Sequence, residues 1–252
     1  MHTLRRTAPA LLLGAILAAC GQDAATPTGS VADPSPTASA SPAASPDPSP
    51  SADGSPSAGA DAPAGWHRIA VTEQGFSLAV PDGWQELSPA LIADTGLLED
   101  VREANPDAAG ALEQAQAAIE QGDIAIFAFD TDEERLASGF ASNLNAINVG
   151  TVEGSAEEAG AEMADAIRQQ IPITGEVETA TASLPAGDAA VLTYEWAIAP
   201  TDGEARPVRV TQYAIIGHSG EGFILSMSAA ADAFAEYEEV FVQIAETFRE
   251  EA

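Results

Sequence analysis

The chain has 252 residues, with 39 acidic side chains against nine basic ones and a formal net charge of −30. All nine basic residues are arginine, and such a surface repels polyanions, which excludes nucleic acid and anionic lipid headgroups as expected partners. The acidity follows from a GC-rich genome that shuns lysine or from life in high salt, where acidic surfaces stay solvated and self-repulsion is screened; binding of cations or of a basic partner is the functional alternative.

Arg5 and Arg6 begin the chain as a positive n-region, followed by an apolar run from Ala8 to Ala19. That run is too short to span a bilayer, which needs about 20 apolar residues, and its length suits a signal peptide. Leu17-Ala18-Ala19-Cys20, followed by Gly21, reads as a lipobox with cleavage before Cys20. The thiol is then expected to carry a diacylglycerol thioether, holding the chain to the extracytoplasmic face of the cell membrane. Two or more acyl chains anchor firmly where one does not. Arg5-Arg6 also raises twin-arginine export, but Thr7-Ala8-Pro9 does not continue that motif, so the general secretory route is expected. Cys20 is the only cysteine, so acylation leaves no thiol for a disulfide, a metal or catalysis. The folded part must be stable through its core, which is feasible for one medium-sized domain over 66–252.

Residues 21–65 are Pro, Ser, Ala, Thr, Gly and Asp-rich, without an aromatic residue. This segment cannot bury enough apolar area to offset its ordering entropy. It reads as a disordered tether, roughly 35–40 Å across on average and about 140 Å fully extended. Its Ser/Thr-Pro content also suits O-glycosylation.

Order is expected from Trp66. Trp66 to Val71 and Phe76 to Val80 read as a hairpin turned at Gln74-Gly75, and Pro81-Asp82-Gly83-Trp84 as a tight turn. Ser88-Pro89 and Asn105-Pro106-Asp107 are helix-start signals. Leu112, Ala115 and Ile119 mark one face of a helix that Gly122 ends. Asp123 to Phe129 is an apolar buried strand and Asn143 to Val149 a more polar one. Ser155-Ala156-Glu157-Glu158 matches a capping box, opening a helix with Met163, Ile167 and Ile171 on one stripe and Pro172 as its stop.

Glu176 to Leu184 then reads as a strand. Ala190, Leu192, Tyr194, Trp196 and Ile198 form one face of the next, which Thr201-Asp202-Gly203 turns into Val208 to Ile216. His218-Ser219-Gly220-Glu221-Gly222 turns into Phe223 to Ser228. A last helix over about 231–249 places Phe234, Tyr237, Phe241, Ile244 and Phe248 on one stripe. Hairpin strands apolar on both faces, with helices inserted early and at the end, predict an α+β fold. Its expected form is an α/β/α sandwich, a mostly antiparallel sheet with helices on both faces.

Gly75-Phe76-Ser77-Leu78-Ala79-Val80-Pro81-Asp82-Gly83-Trp84 resembles the F-x-[VI]-x-[VI]-P-x-G-W opening of the PsbP/Mog-like superfamily. Leu184-Pro185-Ala186-Gly187-Asp188-Ala189-Ala190, followed by a Tyr-bearing strand, is similar to its central hairpin. Phe223 to Phe248 resembles its closing strand–helix unit, ending Thr247-Phe248-Arg249. LpqN-type and DcrB-like lipoproteins share the lipobox and tether. The resemblance covers most of 66–252 and implies an α/β/α sandwich. It also implies an accessory or partner-binding role without shared catalytic residues, so it transfers none.

The residues carry little chemistry of their own. His2 lies in the expected signal peptide, which leaves His67 and His218, far short of a zinc set. Asp130-Thr131-Asp132-Glu133-Glu134 begins like a calcium loop, but Arg135 replaces the glycine such a loop needs. Ser219 beside His218 lacks the spacing of a nucleophile elbow. No P-loop or dinucleotide fingerprint occurs, so no cofactor is expected. Trp66 and Trp84 are candidate partner or ligand contacts; the alternative is that they cover sheet edges while Trp196 is core. The expectation is a membrane-tethered, non-enzymatic binding or accessory module with an envelope protein or lipid as its partner. An envelope lipid or small-ligand carrier is the alternative, resting on the apolar helix faces at 107–121 and 231–249. A hydrolase using Ser219 stands third.

Overall fold

The computed structural model describes residues 62–88, 92, 109–132, 140–198 and 205–251. Leu17-Ala18-Ala19-Cys20, the tether up to residue 61, the signals at Pro89 and Asn105-Pro106-Asp107, and the turn Thr201-Asp202-Gly203 lie outside them.

The N-terminal hairpin forms as its pattern predicts. β1 (Trp66–Val71) pairs antiparallel with β2 (Phe76–Pro81), from Trp66 opposite Pro81 to Val71 opposite Phe76. A single 3-10 turn joins them, and Gly75 closes it at a left-handed φ of 68°, where a side chain would be strained. Hydrogen bonding starts slightly before the expected Trp66: the Trp66 N–H donates to the Pro63 carbonyl and the Asp82 N–H to the Gly65 carbonyl.

β3 (Trp84–Leu87) leaves this hairpin for a second sheet. The following elements are α1 (Ala109–Gln121), β4 (Ile126–Asp130), β5 (Asn143–Thr151), α2 (Ala156–Gln170), β6 (Ile173–Leu184), β7 (Gly187–Ile198), β8 (Arg206–Gly217), β9 (Glu221–Ala230), α3 (Phe234–Thr247) and β10 (Arg249–Glu250). The larger sheet has the order β3-β4-β5-β9-β8-β7-β6 and is antiparallel throughout. β6 to β9 form a meander. α2 carries the chain from β5, inside the sheet, to β6 at its edge.

The strands are apolar on both faces because both faces are covered. On one, Tyr213, Ile215, Phe223, Leu225 and Met227 pack with Phe234, Tyr237, Phe241 and Ile244 of α3 and with the β1–β2 hairpin. On the other, Ala190, Leu192, Tyr194, Val208 and Val210 pack with Met163, Ala164 and Ile167 of α2. Leu112, Ala115 and Ile119 of α1 bury against Leu87, Phe127 and Phe129. This is the layering expected of an α/β/α sandwich, in an α+β chain.

Local signals act as read at α2. The Ser155 hydroxyl accepts the Glu158 N–H at 3.2 Å, and the Glu158 carboxylate accepts the Ser155 N–H at 2.9 Å. Gly160 lets α2 lie close on β7: a Cβ there would stand 2.5 Å from that of Ala190.

The C-terminus departs from the expected helix through Arg249. α3 stops at Thr247, and Arg249 and Glu250 pair as β10 with Ser77 and Phe76. The small sheet is therefore β1-β2-β10. Because β10 is only two residues long, β2 has no strand partner on that side beyond Ser77 among the described residues. The Thr247 hydroxyl takes over there, accepting the Ala79 N–H at 2.8 Å and donating to the Ile244 carbonyl at 2.7 Å. Beside it, Phe248 stacks on Phe76 with ring centroids 5.2 Å apart.

Candidate functional site

An open cleft of about 730 Å³ lies where three chain segments end together. Gly154 to Glu157 supply the start of α2, Thr181 to Leu184 with Gly187 to Ala189 supply the β6–β7 hairpin, and Ile216 to His218 supply the end of β8. Only a glycine fits at 187, because a Cβ would run into the Ile216 carbonyl of the paired strand. The β6–β7 and β8–β9 turns are tied together. The His218 N–H donates to the Ala186 carbonyl at 3.1 Å, and its Nε2 donates to the Pro185 carbonyl at 3.2 Å.

The acidic side chains that line the cleft are Glu157 and Asp188. Both are exposed, and the Ser183 hydroxyl already donates to Asp188 at 3.0 Å. The Ser155 hydroxyl serves the helix cap. Such a surface suits a ligand rich in donors or positive charge.

The cleft adjoins the outer strand of the larger sheet. Among the described residues β6 pairs with β7 alone, and its pairing runs unbroken from Glu178 to Leu184 after an irregularity between Thr174 and Glu178. Thr179, Ala180, Thr181 and Ser183 are exposed, although 179 and 181 point to one face and 180 to the other. Ala182 and Leu184 are half-buried, and Leu184 packs against the main core.

The residues singled out from sequence do not assemble into a catalytic group. The Ser219 hydroxyl donates to Glu250 Oε1, its N–H donates to Oε2 at 3.2 Å, and the hydroxyl accepts the Glu221 N–H at 3.1 Å. His218 faces Pro185 instead. Ser219 thus organises the β8–β9 turn and clips it to β10. Asp130, first residue of the calcium-like run, is buried; it accepts the Tyr237 hydroxyl at 2.7 Å and the Asp132 N–H at 3.0 Å. Residues 133–135 of that run lie outside the described ones. Among the described residues, no three His, Cys, Asp or Glu side chains gather to hold a metal.

Trp84 is 6% exposed and belongs to the main core on β3, so it offers no contact surface. Trp66 is half-buried against the same core at the edge of the small sheet, and Trp196 is half-buried beside the α2 cluster. The apolar faces of α1 and α3 are filled by the protein's own side chains. A second cavity, under α2 and lined by Val149, Met163 and Ile224 among others, measures about 100 Å³. That lies below the roughly 300–1,000 Å³ of ordinary ligand pockets.

A buried polar row also crosses the sheet beneath the α1–α2 layer. Asn145, Ser226 and Gln212 are register neighbours, and the Gln212 amide donates to Ser226 Oγ at 2.7 Å. Nearby on β7, the Tyr194 hydroxyl and the Trp196 indole N–H are buried without a hydrogen-bond partner among the described residues. Burial pushes the Tyr194 pKa up.

Sequence reading missed the cleft carboxylates and the free edge. The available signal was β6 itself, whose long Glu-Thr-Ala-Thr-Ala-Ser run carries no large apolar side chain on either face.

An antiparallel sheet with helices on both faces and a cleft lined in part by Glu157 and Asp188 at one end defines the class of this domain. Its structure is similar to that of CyanoP, the cyanobacterial PsbP of Synechocystis sp. PCC 6803, at 16% identity and a TM-score of 0.41, over 76% of this chain and 96% of that one. It is also similar to LpqN of Mycobacterium tuberculosis, a protein involved in cell envelope biogenesis, at 15% identity and a TM-score of 0.41, over 74% and 91% of the two chains. No protein-family model and no curated protein matches the sequence. Among the described residues, no helix is long and apolar enough to cross a membrane.

Proposed function

We propose that this chain is a lipid-anchored extracytoplasmic protein whose domain is a non-enzymatic binding or accessory module of the cell envelope. The observation that carries the reading is the cleft of about 730 Å³, a recess lined in part by Glu157 and Asp188 and continuous with a free sheet edge. The engagement of Ser219 by Glu250 and of His218 by Pro185 supports a binding role over hydrolysis. The lipobox at Leu17-Ala18-Ala19-Cys20 supports membrane attachment through an N-terminal diacylglycerol. The filled faces of α1 and α3 weigh against an internal lipid carrier, so an envelope protein is the favoured partner.

Expression of the full chain and Cys20→Ala in the native host, with an alkyne fatty acid in the medium, tests the anchor. Label on the wild type alone is the expected result. In-cell crosslinking should capture a discrete envelope partner with the wild type and lose it with Cys20→Ala. Turnover of esters or peptidoglycan by the purified protein, abolished by Ser219→Ala, would overturn the reading.

A further inference from the structure

We infer that the free edge of β6 is a docking strand for an extended, basic peptide segment of a partner protein, which adds to the sheet along 178–184 and ends in the cleft. This rests on the binding-module reading and specifies its partner. Three observations converge on the same place.

The first is the backbone. An outer strand presents an unpaired row of N–H and C=O groups, a ready template for another chain. Proteins blunt such edges with lysine, proline, a very short strand or a bulge. β6 has twelve residues; its irregularity lies between Thr174 and Glu178, and from Thr179 to Leu184 it carries no charged residue, proline or bulge. The opposite outer strand, β3, has only four residues.

The second is the side chains. Thr179, Ala180, Thr181 and Ser183 are small and exposed. An added strand would meet no steric barrier on either face, and its own side chains would supply the contacts. Peptide recognition by strand addition works this way: the main chain provides affinity and alternate side chains provide specificity.

The third is charge. Glu176 sits on the strand, and Glu157 and Asp188 stand on the cleft wall at its end. Glu178 is held by Arg209 at 3.7 Å, whereas Glu157 and Glu176 make no ion pair among the described residues. A strand carrying arginine or lysine would complement this line. A second copy of the chain would bring a like-charged surface, at −30 per copy, to the same edge. The chain's own tether contains no basic residue between 21 and 61 and is interrupted by proline, which cannot donate to a ladder.

The test uses the full chain in detergent and a fluorescein-labelled octapeptide of alternating valine and arginine. Three companions accompany it: an aspartate–valine version, a scrambled arginine peptide containing proline, and an arginine–valine peptide N-methylated at alternate amides. Binding is read by fluorescence anisotropy, and site by hydrogen exchange. The arginine–valine peptide should bind and slow exchange selectively at 178–184. Each companion should bind at least tenfold more weakly.

In an antiparallel pair, neighbouring residues point their backbone groups to opposite sides. One of Ala180→Pro and Thr181→Pro therefore removes an outward N–H while sparing the bonds to β7, and that folded variant should lose at least tenfold in affinity. Glu157→Gln with Glu176→Gln, both on the surface, should weaken binding and its salt dependence together. Equal binding of the N-methylated peptide, protection confined to other strands, or no binding by the wild type overturns the inference. If crosslinking in the native host still captures a partner in that event, the binding-module reading stands and only the strand-addition mode fails.

Discussion

Replacing Thr247 by valine exchanges a hydroxyl for a methyl at nearly constant volume. The site is buried, and β10 ends before it, so the hydroxyl is what satisfies the Ala79 N–H on that side of β2. The valine leaves that N–H buried and unpaired. It also removes the bond from Thr247 to the Ile244 carbonyl, at the last turn of α3. A buried group left unsatisfied costs about 1–3 kcal/mol. For a domain of this size, 1 kcal/mol moves the melting temperature by about 2–4 °C, so Thr247→Val should melt about 2–12 °C lower. Thr247→Ser keeps the oxygen and loses only a methyl, and it should fall by less. Differential scanning calorimetry of the two variants measures the order, and hydrogen exchange should show the Ala79 amide opening in the valine variant. If Thr247→Val melts at or above the wild type, or Thr247→Ser costs more, the hydroxyl is not what completes the ladder.

Tyr194→Phe removes a buried hydroxyl that has no partner among the described residues, and it should stabilise the domain by about 1 kcal/mol in urea unfolding at pH 7. Because burial raises the folded-state pKa of Tyr194 above its unfolded value near 10, the folded state holds its proton longer. Stability should thus be steady below about pH 10 and fall as pH rises above it, with a shallower fall in Tyr194→Phe. Gly160→Ala should destabilise despite the better helix propensity of alanine, since the added methyl meets Ala190; adding Ala190→Gly should recover part of the loss, as a double-mutant cycle by chemical denaturation would show. Tyr237→Phe deprives the buried Asp130 carboxylate of a 2.7 Å bond, and thermal melts should show a loss of about 1.5–3 kcal/mol.

Legibility from sequence followed the range of the interaction. The capping box at Ser155 is a four-residue signal and formed as read. The stripe Phe234, Tyr237, Phe241 and Ile244 repeats every three or four residues and faces the core as expected. The same stripe misled at its end. Phe248 fits the helical spacing, yet it is buried as the α3 C-cap between helix and strand, and two residues such as Arg249-Glu250 carry no strand period. The hairpin at 66–81 was readable, but its separation from the larger sheet was not, because partner choice between strands depends on distant segments. The cleft was least visible: its walls come from 154–157, 181–189 and 216–218, and no short motif joins them. Trp84 shows the converse, a large aromatic that reads as a contact and is spent on the core.

The small sheet also sets a path for mechanical load. The chain enters at residues 62–65, beside the open end of the β1–β2 hairpin, where Trp66 faces Pro81. A pull on residues 62–65 directed across the hairpin would strip β1 from β2 one pair at a time from that end, whereas a pull along the strand would load all six pairs in shear. The bonds from Trp66 to Pro63 and from Asp82 to Gly65 would part first. Peeling would then meet β2, held on its other side by β10 and by Thr247, with Phe76 stacked on Phe248. Under a pull across the hairpin, β1 would therefore yield by a few residues before the load reached the helices and the larger sheet.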